Sequence, residues 1–150
     1  MIICSLYKPP SVNINIFNTE IEHVLDIIQK ENKYAYFIAD FNIDTSNELQ
    51  CKSTSVHDFM NLFSSYSYKK LINLPTREAQ TSSTLIDNMY TNVPEPYKTG
   101  QSGVLSTIRV TDHYPIFTLR FDTQLQSSPQ YRTRRDAREQ NISKNEKTIK

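Results

Sequence analysis

A chain of 150 residues is sized for one domain, and its 37% apolar content supplies a modest core. Its formal net charge of +1 gives no general case for nucleic-acid binding, and its two cysteines, without zinc-type Cys/His spacing, fit a reduced, intracellular protein. Two glycines, Gly100 and Gly103, exclude a P-loop or a GxGxxG dinucleotide loop, and no apolar run approaches the about 20 residues of a membrane span.

In chain order, "IICSLY" at 2–7 reads as a short apolar strand stopped by Lys8-Pro9-Pro10. The start, "MIICSLYKPPS", lacks a basic n-region and is too short for a signal h-region, so no signal peptide is expected. Ile21, Val24, Leu25 and Ile28 then recur at i, i+3, i+4, i+7, one helical face. Thr19 with Glu22 has the pattern of a capping box for that helix. Residues 34–39 form a continuous apolar run, the signature of a strand covered on both faces.

A second amphipathic helix is predicted over 56–65, with Ser55 as its cap and Val56, Phe59, Met60 and Phe63 on one side. Strands are predicted at 70–74 ("KLINL"), 84–91 ("TLIDNMYT") and 115–121 ("PIFTLRF"). The order strand, helix, strand, helix, then strands indicates a layered α/β or α+β domain over 1–122. Beyond Asp122 apolar residues almost vanish, which predicts a disordered or transiently helical linker over 123–150. Between Arg132 and Lys150, seven Lys or Arg face three acids, so a basic tail follows an acidic body.

Three stretches carry polar groups that a core would not choose. Asp40-Phe41-Asn42-Ile43-Asp44 ends the apolar strand abruptly. The residues alone leave a strand-end turn and a catalytic strand end both open. A calcium loop fails, because Thr45 and Cys51 occupy its sixth and twelfth positions. Asp87, inside "SSTLIDNMYTN", is costly to bury without a partner such as His or Arg, or else faces solvent on an edge strand. Thr111-Asp112-His113-Tyr114-Pro115 offers an imidazole able to move protons near neutral pH. A serine-hydrolase site has no G-x-S-x-G elbow to sit on.

Taken in order, "SLYKPP", "IADFNID", "PTR…SSTLIDNMYTN" and "VTDHYPI" resemble the endonuclease/exonuclease/phosphatase superfamily. Within it they are similar to the endonuclease domain of non-LTR retrotransposons of the LINE or jockey type. The resemblance covers about residues 2–122, and "YRTRRDAREQNISK" looks like the segment leading toward a reverse transcriptase. It implies a four-layer α/β sandwich, two sheets flanked by helices, of which this chain holds the C-terminal part. It implies Mg²⁺-dependent, or Mn²⁺-dependent, phosphodiester hydrolysis that nicks DNA and leaves a 3′-OH.

On that resemblance His113 would be the general base, oriented by Asp87. Asp40 and Asn42 would position the nucleophile and assist the leaving oxygen. Asp112 would bind the metal and Tyr7 would meet the scissile phosphate. Lys8, Arg77 and Thr111 would contact phosphate or DNA, joined by Arg132, Arg134 and Arg135 of the tail.

Ala39 stands where the family usually has Gly, Lys8 where Arg is common, and Thr111 where Ser is common. The family's early Asn and main metal-binding Glu have no counterpart; Glu20 and Glu22 follow the Tyr7 motif and do not replace that Glu. Weak metal binding and impaired nuclease activity are therefore expected. The alternative is a non-catalytic retroelement remnant that binds nucleic acid through its basic tail. The implied partners are DNA and, through the tail, RNA, with a reverse transcriptase domain on the same chain and no membrane. For a functional element the implied location is the nucleus.

Overall fold

A computed structural model describes residues 1–46, 53–94, 100–108 and 110–119. The linker expected over 123–150, and with it Arg132, Arg134 and Arg135, lies outside the described residues.

The two apolar runs nearest the N-terminus become β1 (Ile2–Tyr7) and β2 (Ala35–Asp40), parallel and in register from Ile2↔Ala35 to Tyr7↔Asp40. Parallel neighbours require a crossover, here α1 (Ile14–Lys30). This helix begins earlier than the Thr19–Glu22 capping box predicts. Asn13 is the cap, its side-chain oxygen accepting from Asn15 N at 2.8 Å, while Thr19 Oγ1 donates back to the Asn15 carbonyl. The reason is packing: Ile14 and Phe17 extend the face of Ile21, Leu25 and Ile28 by a further turn onto the core. The helix closes into Asn32, whose φ of 49° is the left-handed conformation common after a helix end.

α2 (Thr54–Ser65) starts two residues before the expected 56, with Ser53 rather than Ser55 in the cap position. It buries Phe59 and Phe63. Further along come β3 (Lys69–Lys70), β4 (Arg77–Glu78), β5 (Ser83–Thr84), β6 (Asp87–Thr91), β7 (Ser102–Val104) and β8 (Ile116–Thr118). The main sheet has the order β1-β2-β6-β3, with β6 antiparallel to both neighbours; β4-β5 and β7-β8 form two small antiparallel pairs.

The strand expected over 115–121 is β8, Ile116–Thr118, with 120 and 121 outside the described residues; the other two differ because side chains take over ladder hydrogen bonds. The strand predicted over 70–74 stops at Lys70, because the Asn88 amide accepts from Ile72 N and donates to Ile72 O. The strand predicted over 84–91 is split. Leu85 N donates to Asp44 Oδ1, and the N–H groups of Ile86 and Asp87 both donate to Thr76 Oγ1.

One sheet face, carrying Cys4, Leu6, Phe37, Ala39 and Tyr90, packs under both helices. Phe63 sits at the centre of this layer, stacked on Tyr90 at 4.1 Å between centroids and edge-on to Phe37, Phe41 and Phe59. Burying each such ring contributes on the order of 1.5–3 kcal/mol. On the opposite face Ile38 and Met89 meet Ile72, Leu85, Val104 and Ile116, so the β7-β8 pair covers it. The result is a mixed α/β sandwich. Among the described residues no helix is long and apolar enough to cross a membrane.

Candidate active site

The pairing register places three of the candidate side chains in one row. Tyr7 lies opposite Asp40, and Asp40 opposite Asp87. Residues opposite one another share a sheet face and lie about 5 Å apart. The row therefore crosses β1, β2 and β6 on the face away from the helices, at the carboxyl ends of β1 and β2, where open α/β sheets place their sites.

His113 reaches this row from a separate loop. Its backbone forms an isolated antiparallel bridge with Arg77, and its Nδ1 lies 3.0 Å from Asp87 Oδ2 and 3.2 Å from Oδ1. An ionised carboxylate accepts only, so the neutral imidazole that fits this contact is the one with its proton on Nδ1 and its lone pair on Nε2. Asp87 is mostly buried and His113 about two-thirds so. Ligand atoms of Asp40, Asp87 and His113 all lie within 4.8 Å of one another, close enough to hold a metal ion.

The loop after β2 is fixed by its own polar residues. Asp40 Oδ1 accepts from Asn42 N at 3.0 Å, and Asn42 has a left-handed φ of 47°, which Asn tolerates better than most residues. Its amide donates to Lys8 O at 2.9 Å, tying the loop to the end of β1. Phe41 N and Thr45 N donate to the carbonyls of Ile86 and Leu85, so the loop is anchored alongside the segment that leads into Asp87. Asp44 accepts from Leu85 N and Ser46 N, a structural role.

The remaining candidates have distinct placements. Tyr7 is 62% exposed at the end of the row. Lys8 is only 3% exposed and its Nζ donates to Pro9 O, so its charge is turned away from solvent. Thr111 Oγ1 accepts from His113 N at 3.0 Å and shapes the turn that carries the imidazole. Asp112 is not in the cluster with Asp40 and Asp87; its Oδ2 accepts from Arg77 Nε at 2.6 Å, with the two side chains 45% and 43% exposed. The Arg77 hydrogen bond holds the Asp112 carboxyl below its ordinary range, and Asp112 in turn raises Arg77. The charges of Asp40 and Asp87 make smaller contributions that also raise Arg77.

Two contributors to this geometry were not singled out from the sequence. Thr76 is fully buried and accepts from the N–H of Asp87. Glu78 accepts a 2.6 Å hydrogen bond from the Tyr114 hydroxyl, one residue beyond His113. Thr76 stands within the "PTR" motif, but nothing in a single sequence marks a threonine as buried.

Sheet and helices together form a mixed α/β sandwich, with the row at one end of the main sheet. No protein-family model matches the chain, and no curated protein matches it. Among solved structures, the endonuclease domain of TRAS1, a telomere-specific non-LTR retrotransposon, is similar with a TM-score of 0.62 at 14% identity, over 79% of this chain and 56% of that one. An endonuclease/exonuclease/phosphatase family protein from Bacteroides thetaiotaomicron is similar with a TM-score of 0.51 at 16% identity, over 77% of this chain and 48% of that one. The chain thus has the fold of these domains and spans about half the length of the solved structures it matches.

Proposed function

We propose that the chain hydrolyses phosphodiester bonds in DNA with the help of a divalent cation, His113 acting as general base. The observation that carries this reading is the 3.0 Å contact between Asp87 and His113 Nδ1 on the sheet end that also holds Asp40. The carboxylate fixes the tautomer and ring orientation, leaving Nε2 to accept a proton from water. The water oxygen forms a bond to phosphorus while the bond from phosphorus to the 3′ oxygen breaks. The leaving 3′ oxygen takes a proton from solvent, and the products are a 3′-OH and a 5′-phosphate.

Other residues supply donors and charge. The Tyr7 phenol, exposed at the end of the row, suits a hydrogen bond to a phosphate oxygen. An amide NH₂ carries two hydrogens, so the Asn42 bond to Lys8 O leaves the second for the leaving oxygen. Arg77 presents a planar guanidinium suited to phosphate.

The donor set fits a hard cation in part. Asp87 and His113 Nδ1 already satisfy one another, and a cation between them would displace the shared proton. Asp40 is therefore the carboxylate best placed to hold Mg²⁺ or Mn²⁺, with water filling most of the coordination shell. Asp112 could join only by releasing Arg77. When bound, such a cation neutralises charge on the phosphate oxygens. Among the described residues that leaves one carboxylate for the cation, so weak metal binding and slow turnover are expected.

Hydrolysis of bis(p-nitrophenyl) phosphate at millimolar Mg²⁺ or Mn²⁺ tests the reaction class. Diester turnover that is lost in His113→Ala supports the reading. Turnover equal in wild type and His113→Ala refutes it.

A further inference from the structure

Building on the phosphodiesterase reading, we propose that Thr76 is a positioning residue that sets the Asp87–His113 pair, and that its hydroxyl is the essential part. Thr76 is fully buried and joins three separate segments. Its N–H donates to Thr84 O at 2.9 Å, closing the base of the β4-β5 hairpin. Its carbonyl accepts from Tyr114 N at 2.7 Å, the residue directly after His113. Its Oγ1 accepts from Asp87 N at 2.9 Å and from Ile86 N at 3.2 Å.

The backbone of one residue thus holds the histidine segment while its side chain holds the aspartate segment. Any amino acid other than proline could make the two backbone bonds. Only a hydroxyl at this position supplies the acceptor for Ile86 and Asp87. Alternative acceptors close by are already engaged: Asp44 Oδ1 takes Leu85 N, and the Leu85 and Ile86 carbonyls accept from Thr45 and Phe41. Removing the hydroxyl takes the acceptor from one buried and one partly buried N–H, and the chain must shift to find them water.

The shift matters because the pair has little tolerance. Asp87 Oδ2 is 3.0 Å from Nδ1, so moving the β6 start by about 1 Å breaks the hydrogen bond. A misplacement of that size costs on the order of 10²-fold in rate. The carboxylate and the imidazole both survive; only their alignment is lost.

The test compares wild type, Thr76→Val and Thr76→Ser by two independent readouts. Steady-state diester turnover separates kcat from KM. ¹⁵N NMR of the His113 ring reports whether Nδ1–H is held by Asp87. Thr76→Val should lower kcat roughly ten- to a hundred-fold with KM within about twofold, and should lose the ordered Nδ1–H signal. Thr76→Ser, which keeps the oxygen, should recover most of both. Thr76→Ala replaces Val should that variant fail to fold. Wild-type kcat and an intact ring signal without the hydroxyl overturn the proposal, as does a Ser variant as damaged as the Val one. Wild type without turnover refutes the phosphodiesterase reading alone, and the ring signal then decides the role of Thr76.

Discussion

The Asp87 carboxylate lies 3.0 Å from His113 Nδ1, although 26 residues separate them in the chain. Asp87 opens β6, in register with Asp40, and His113 is delivered by a loop that bridges to Arg77. An Asp so deeply set needs a partner, and the histidine gains a fixed tautomer in return. Asp87→Asn keeps the shape but offers an uncharged amide that no longer selects Nδ1–H. Diester turnover should fall by about 10²–10⁴-fold with the circular dichroism spectrum unchanged. A decrease of less than threefold would remove Asp87 from the account.

The Arg77–Asp112 pair predicts a pH response with a definite sign. Its hydrogen bond holds the folded Asp112 carboxyl below the unfolded value of about 3.9. The pair's contribution is present above that unfolded value and is lost as pH falls through the lower folded one. Arg77→Gln should return the Asp112 midpoint toward the ordinary carboxylate range, read by ¹³C NMR of the carboxyl. Because both side chains are nearly half exposed, the neutral-pH unfolding midpoint should barely move.

Phe63 touches nearly every ring in the helix-side layer, including Phe37, Phe59, Tyr68 and Tyr90. Phe63→Ala should cost about 3–5 kcal/mol in urea unfolding, since the cavity is bounded by other rigid rings. A loss below about 1 kcal/mol would mean that this layer collapses around the gap.

Tyr68 gives the opposite sign. Its ring packs on Phe37, but its buried hydroxyl has no hydrogen-bond partner among the described residues. Burial, with a smaller contribution from Cys4, pushes its phenol up to about 12. Tyr68→Phe should therefore stabilise by about 1 kcal/mol in the same urea assay. The pH dependence follows: wild type is stable below the unfolded phenol value of about 10, and loses stability as pH rises toward about 12. Tyr68→Phe should lose less over that interval.

The first half of the fold was legible because apolar periodicity is strong there. Ile21, Leu25 and Ile28 announce α1, and the unbroken 34–39 run announces β2. The start of α1 was misread because Thr19–Glu22 imitates a cap, whereas Asn13 holds the actual one. Beyond α2 the signal fails for a physical reason. Asn88, Asp44 and Thr76 satisfy backbone groups that a ladder would otherwise use, so Ile72 and Leu85 are core residues outside any strand. At the site, residue types such as the buried Asp and the loop His could be read directly. The resemblance also named His113 as the partner of Asp87, and the two lie 3.0 Å apart; the partners of Asp112 and Asp44, Arg77 and the Leu85 N–H, were not legible. The burial of Lys8 was equally invisible.

We propose that His113, Asp87 and Asp40 cleave DNA strands by hydrolysis. The most direct measurement incubates supercoiled plasmid with the chain at millimolar Mg²⁺ or Mn²⁺, then asks whether a polymerase extends the new ends. Slow conversion to relaxed circles with extendable 3′-OH ends is expected, abolished by chelator and by Asp40→Ala or His113→Ala. Nicking that persists in both variants, or no nicking by wild type with either metal, would contradict it.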